Sequence, residues 1–590
     1  MAITPRRSKS IATAALPEGP YEAESAPPGR STSNAAMLQT IEFVDSLRGQ
    51  GSENLGLDLR DLGIVLHLVR NHVSGRLTTM ACLAAASGLS YGTAFRAIEG
   101  LIGSGLIVRR PRTATGRSFS LHPSSELLRR WQLFAGHTRR LIEQIASDVS
   151  QAVRKPAADM AAVIAPPTVL ENKLALPRGL RLLVHADPTF MAMNALKRQF
   201  EMILGVPIQS KALSIDRLWA EIVQNGQRPV SAYDIIACDL PWFGDMVGRN
   251  RLRPLDDLIA GSEMDMADFL PDAVVSARRR GRQYGIPLLS TAELLAYRTD
   301  LLDDAGLAPP RTTVETLAVA RALHAPERGR FGIAWNGGRG TALGHTFMVA
   351  MAAHGQPIVN LGQTADGFLP EDMTEDHLRP MFDSEAAHAA ADYLTELLAV
   401  SPPDILSMTW YDRARAYASG HTSLAYAHTL LVTLFESDPA SPAYRKTGYV
   451  PQPIGLGGRP ISPLGGYALA LPSNIAPERV APAWAALAAL TSASAAKLFM
   501  TNGSLASPRF SVNRDPEVQA LSPVIGVVDA IARKGVLRAW PRPPVPGISA
   551  LIAIAGEEIH DMLSGLKTRA VALATAQNRA EAVMRGLDRD

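Results

Sequence analysis

Cysteine is nearly absent from this 590-residue sequence, and the two that occur, Cys82 and Cys238, lie far apart. That excludes a disulfide framework and the cysteine-paired zinc modules, and leaves buried thiols as the expected state. Uninterrupted apolar runs of membrane-spanning length are also missing. The longest uncharged stretch near the C-terminus, 480–496, is rich in Ala, Ser and Thr and reads as a packed helix. The start MAITPRRSKS is basic, but residues 11–16 are too short and too weakly apolar for the core of an export signal. The expectations that follow are no membrane contact and a cytoplasmic location. No H-E-x-x-H occurs, and Gly337-Gly338-Arg339-Gly340-Thr341 lacks the lysine of a phosphate-binding loop. Gly88-Leu89-Ser90-Tyr91-Gly92 matches the serine-hydrolase G-x-S-x-G, but a helical pattern precedes it where a strand is required. Neither catalytic residues, nor a metal, nor a cofactor is expected, and the chain does not read as an enzyme.

Lysine is missing from residues 58–141, whereas arginine is abundant. This segment holds 12 Arg and 4 Asp or Glu, a net of +8; the remainder holds 47 basic and 52 acidic residues, a net of −5. A basic unit joined to a mildly acidic one points to a polyanion partner for the first alone. Four segments are expected: a disordered tail at 1–35, rich in proline and poor in large apolar groups; a basic domain at 36–122; a helix and linker at 123–178; and a large domain at 179–590. In the basic domain, Leu62, Val65, Leu66, Val69 and Val73 mark one helical face. A second short helix follows, and Ser90 is placed to cap a third whose inner side carries Tyr91, Phe95, Ile98, Leu101 and Ile102. Two strands flank a basic turn at 109–117. GLSYGTAFRAIEGLIGSGLIVRR and this turn resemble the winged helix-turn-helix of bacterial transcription regulators. The resemblance implies that Ser90, Tyr91, Thr93 and Arg96 meet the major groove of operator DNA, and that Arg109, Arg110, Arg112 and Arg117 reach its backbone or minor groove. Leu127, Trp131, Phe134, Thr138, Leu141 and Ile145 then recur at steps of four and three, a seam suited to a homodimer.

From residue 180 strands alternate with helices, which predicts an α/β sheet with its ligand at the carboxyl ends of the strands. The stretch YGIPLLSTAELLAYRTDLLDDAG at 284–306, with LRPLDDLI, FDSEA, RARAYASG and GGYALA elsewhere, resembles family 1 extracellular solute-binding proteins, the sugar-binding subunits of ABC importers. The resemblance implies a two-lobe domain of the type 2 periplasmic-binding class, with residues 288–291 as a crossing between lobes. It also implies a ligand cleft for which Asp187, Asp239, Trp242, Trp335, Tyr411, Gly466 and Arg509 are the candidates. Trp410 is the alternative to Tyr411, and His185, His345, His421 and His428 are further lining candidates. The whole reads as a multidomain transcription regulator, a mainly helical winged helix followed by a sensor of a small polar solute such as a sugar or oligosaccharide. The alternative is a transport-linked solute-binding protein whose N-terminal domain makes protein contacts.

Overall fold

The computed structural model describes residues 44–587 except 48, 50, 52, 58, 113–118, 148–162, 366 and 370–373. The expected disordered tail and Arg117 therefore lie outside the described residues. Near the N-terminus, α1 (Leu59–Val73), α2 (Met80–Ala86) and α3 (Tyr91–Gly103) are followed by an antiparallel hairpin of β1 (Ile107–Pro111) and β2 (Phe119–Pro123). Thr79 caps α2 by accepting the Cys82 N–H. Ser90 stands at the N-cap of α3 but makes no capping bond; its hydroxyl pairs with Thr93 Oγ1 at 2.9 Å.

The helix faces differ from those read off the sequence. In α1 the core takes Ile64, Val65, Leu68 and Val69, while Leu66 and Val73 are exposed. In α3 it takes Ala94, Ile98 and Leu101, leaving Tyr91 62% and Phe95 40% exposed as neighbours on the outer face. Ala94 decides the phase: a small residue lets the helices approach, so the large aromatics turn outward. The long helix α4 (Ser125–Ser147) sends Leu127, Leu128 and Phe134 into this same small core, with Trp131 packed beside them. The proposed dimer seam is thus occupied by its own domain over its first two turns.

The proline-rich approach to the second domain is packed. The Ile164 N–H donates to Asp515 Oδ2 at 2.7 Å, the Pro167 carbonyl accepts from His72, and the Leu170 N–H reaches the Ile203 carbonyl.

In the large domain β3 (Leu180–His185), β4 (Ile208–Leu213) and β5 (Ile235–Asp239) run parallel; β5 is buried throughout, and β3 is apolar at Leu180 and 182–184, with Arg181 paired to Asp234, as suits strands covered on both faces. The next elements are β6 (Gly285–Arg298), β7 (Phe331–Ala334), β8 (Thr422–His428), β9 (Thr447–Val450) and β10 (Ser462–Ala470). The sheet order is β4-β3-β5-β10-β6-β8-β7, with β9 also on β6.

Residues 288–291, expected as a crossing between lobes, lie within β6, which is one strand of 14 residues. Its first half pairs with β10 in the first lobe, and its second half with β8 and β9 in the second. Pro287 does not break it, because it falls where the β10 register shifts between Tyr467 and Ala468, and a bulge tolerates a missing N–H. The two lobes therefore share a strand, and the cleft opens where β6 changes partners.

Among the described residues no single helix is long and apolar enough to cross a membrane; the pair Pro477–Leu490 and Ala493–Ser504 passes by composition but is bent by 58°. Val480, Trp484, Leu487 and Leu490 of its first helix are buried in the domain core.

Candidate functional site

A cavity of about 400 Å³ lies between the lobes. Asp187 and Asp239 reach it from the carboxyl ends of β3 and β5. Asp187 caps the helix Pro188–Ala195 by accepting the Phe190 N–H at 3.1 Å, and its other oxygen lies 3.1 Å from His185 Nδ1. The His185 ring stacks on Tyr467 with centroids 5.0 Å apart. Asp239 accepts both Nη groups of Arg542, one at 2.9 Å. From the second lobe, Glu293 of β6 pairs with Arg413 of the helix Trp410–Ala418 at 2.5 Å. Tyr411 of the same helix faces Asp187: burial, and then that carboxylate, raise its hydroxyl pKa.

Both acidic-basic pairs are nearly closed off from water, with Arg413 and Asp239 only 2% and 1% exposed. Four buried atoms in the lining residues have no partner among the described residues: Asn336 Oδ1, Arg413 Nη2, Gln452 Oε1 and Arg542 Nε. Burial, assisted by Arg542, holds His345 well below the usual imidazole range. Burial also holds His428 down to about 4, with Arg413 and Arg542 lowering it further and Glu293 opposing them. Both rings are neutral at pH 7.

This has a consequence for stability. The unfolded chain protonates His428 near 6.5, whereas the folded chain resists until about 4. The contribution is complete above pH 6.5 and is lost as pH falls toward 4, by about 3 kcal/mol for this group. Urea unfolding across that range is expected to show the loss, and His428→Gln to flatten it.

Of the ligand candidates read from the sequence, Asp187, Asp239, Tyr411 and Gly466 line the cavity, as do Trp410, His185, His345 and His428. Trp242, Trp335, Arg509 and His421 do not. Trp242 packs behind Tyr467 and against Trp219. Trp335 is fully buried and donates to Ser401 Oγ at 2.8 Å, satisfied inside the second lobe. Arg509 pairs with Asp268 and covers the Phe269 ring. Large aromatics at strand ends go to the core here because the sheet is covered on both faces.

The sequence reading missed Glu293, Arg413, Tyr467 and Arg542. A lone carboxylate inside the apolar run of β6 was a readable signal for Glu293. Arg542 sits in a Trp-Pro-Arg-Pro-Pro stretch with no local pattern that would mark it.

The DNA candidates are dispersed. Ser90, Tyr91 and Arg96 are exposed on or beside α3, and Thr93 is half-buried. Arg109 pairs with Glu99 and lies over Phe119. Arg110 is 3% exposed and points into the second domain, where the carbonyls of Met202 and Ile203 accept from its two Nη groups; those groups are not available to a nucleic-acid backbone. Arg112 is exposed.

Residues 219–497 match the family described as bacterial extracellular solute-binding protein. A probable amino-acid ABC transporter periplasmic-binding protein of Sinorhizobium fredii is 23% identical over 413 residues, 69% of this chain and 89% of that one. A mannitol-binding protein of Pseudomonas aeruginosa is 24% identical over 40% of this chain and 51% of its own length. Among solved structures, an ABC transporter solute-binding protein of Agrobacterium radiobacter K84 in complex with ribitol aligns with TM-score 0.63 at 24% identity, over 70% of this chain and all of that one. These findings overturn the expected cytoplasmic location, since the matched family is extracellular and the S. fredii relative periplasmic. A weak apolar run at the N-terminus was too thin a basis for that placement, and it lies outside the described residues. The large domain of this chain thus shares the two-lobe α/β fold of the solute-binding proteins, and its residues 219–497 are similar to the bacterial extracellular solute-binding protein family.

Proposed function

We propose that the chain is a solute-binding protein linked to an ABC importer, that it takes a neutral sugar or polyol, and that its N-terminal unit makes protein contacts. The observation that carries the ligand class is the internal neutralisation of the cleft. Asp239 is matched by Arg542 and Glu293 by Arg413, and Asp187 sits on a helix N-terminus beside His185. A charged solute would meet no free counter-charge. What remains are unpartnered donors on Arg413 and Arg542 and unpartnered acceptors on Asn336 and Gln452. Hydroxyl groups both donate and accept, so a polyhydroxylated ligand satisfies all four at once. The Tyr467 ring, stacked on His185, adds an apolar wall. The ribitol and mannitol named for related proteins are of this chemical class.

The test is a thermal-shift and calorimetric screen of ribitol, mannitol, maltose and neutral amino acids. A polyol or sugar is expected to raise Tm in a saturable way, and Tyr467→Ala to weaken it by about tenfold or more, the loss of one aromatic contact. Stabilisation by amino acids alone would overturn the reading.

For the N-terminal unit, the supporting observation is the outer face of α3, where Tyr91 and Phe95 are exposed and adjacent while Arg109 and Arg110 are already engaged. An exposed aromatic pair suits a protein surface better than a phosphate backbone. A second reading keeps DNA, because the three-helix and hairpin order leaves Arg96 and Arg112 exposed. Binding to duplex DNA that weakens steeply with salt would favour it; binding that is absent at low salt would leave protein contact.

A further inference from the structure

A second concavity, of about 430 Å³, lies between the hairpin of the N-terminal unit and the first lobe. Its chemistry is set by Arg110, Arg112, Lys173, His122 and Glu201. Arg110 is the unusual member. It is 97% buried, by its 3% exposure, yet among the described residues no carboxylate pairs with it. Its two Nη groups are taken by the carbonyls of Met202 and Ile203, at the C-terminal end of the helix Lys197–Leu204, and its Nε has no acceptor.

A helix C-terminus offers only a partial negative charge, which offsets part of the cost of burying a full positive one. The seat is nonetheless specific. Gly205 continues from that helix end at φ +74°, and a Cβ there would lie 2.0 Å from Arg110 Nη2. The one carboxylate in the lining, Glu201, is already used: it accepts the Ile208 N–H at 2.9 Å and stands 3.8 Å from Lys197. Among the described residues Lys173 donates only to the Arg112 carbonyl, at 3.4 Å. His122 is held down to about 3 by burial, with His72 and Arg110 adding to it, and is neutral. Three cations thus converge on a groove whose single carboxylate is committed elsewhere.

We propose that this groove binds a small phosphate-bearing anion, held by Arg112, Lys173 and the free Nε of Arg110, and that the anion ties the N-terminal unit to the first lobe. Guanidinium and ammonium groups in one concavity are the donor set that phosphate oxygens require. The site is independent of the solute cleft and of the reading given for it.

Inorganic pyrophosphate is the probe, applied to the full chain at constant ionic strength with chloride as the control. Saturable heat on titration and a Tm rise absent with chloride are expected. Arg112→Ala/Lys173→Ala removes two exposed side chains outside the cleft, and it is expected to weaken pyrophosphate at least about tenfold while leaving polyol binding unchanged. Tyr467→Ala is expected to leave pyrophosphate binding intact. Equal pyrophosphate affinity in the double variant, or no effect beyond chloride, would overturn the site. So would a short DNA duplex that binds through Arg112 and Lys173 when pyrophosphate does not, which would assign these cations to a nucleic-acid backbone.

Discussion

Arg413→Met is expected to lower the stability of the fold by about 3–5 kcal/mol and to abolish solute binding. Arg413 is 2% exposed and is the counter-charge of Glu293, which sits in the middle of the strand shared by both lobes. Removing the guanidinium leaves a carboxylate facing low-dielectric surroundings with nothing to neutralise it, and the penalty is the desolvation of that charge, not the modest net worth of the pair. Arg413→Met/Glu293→Gln is expected to be more stable than Arg413→Met alone, because the stranded charge is gone. Urea unfolding of the two single variants and the double variant measures the coupling. A double variant no more stable than Arg413→Met would mean that the arginine acts by packing its stem. Binding is expected to be lost in both variants, since Arg413 Nη2 is one of the unpartnered donors offered to the ligand.

Gly466→Ala is the second large effect, expected at about 2–5 kcal/mol from strain plus overpacking. Gly466 has φ +132°, and a Cβ there would stand 2.2 Å from the Leu289 carbonyl oxygen. That oxygen belongs to the backbone of β6, so it cannot rotate away as a side chain would; either β10 or β6 must shift. Because Gly466 and Leu289 both line the cavity, the shift is expected to reduce polyol affinity as well. Gly503 supplies the control. It too has a left-handed φ, +100°, but open space around its Cβ position. Gly503→Ala therefore carries the strain without the collision, and its cost is expected to be clearly smaller. If the two substitutions cost the same, close approach of the strands is not what requires glycine at 466.

How the charges of the N-terminal unit are used differs from what their number suggested. A net of +8 over residues 58–141 describes the segment correctly but says nothing of where each guanidinium points. Arg110 follows Arg109 in an alternating strand, so one of the two must face inward. Which one does, and that the inward face meets another domain, depends on contacts nearly a hundred residues away at Met202 and Ile203. Local pattern carries no information at that separation.

Local sequence accounted for the alternation of strands and helices, the apolar character of β5 and most of β3, and the placement of Asp187 and Asp239 at strand ends. These follow from propensity, from two-sided burial and from the rule that loops at carboxyl ends face the ligand, all of which act over a few residues. That residues 285–298 form one strand serving both lobes came from the packed structure, since a proline that would end an isolated strand sits beside a bulge in β6 itself, where Leu288 is the extra residue opposite Tyr467 and Ala468 of β10. The packing decided equally that Trp242 and Trp335 are core, and that the charged wall of the cleft is Asp239 with Arg542 and Glu293 with Arg413. Ion pairs of this kind join residues remote in the chain, and their value comes from mutual burial, which is a property of the packed molecule and of no segment within it.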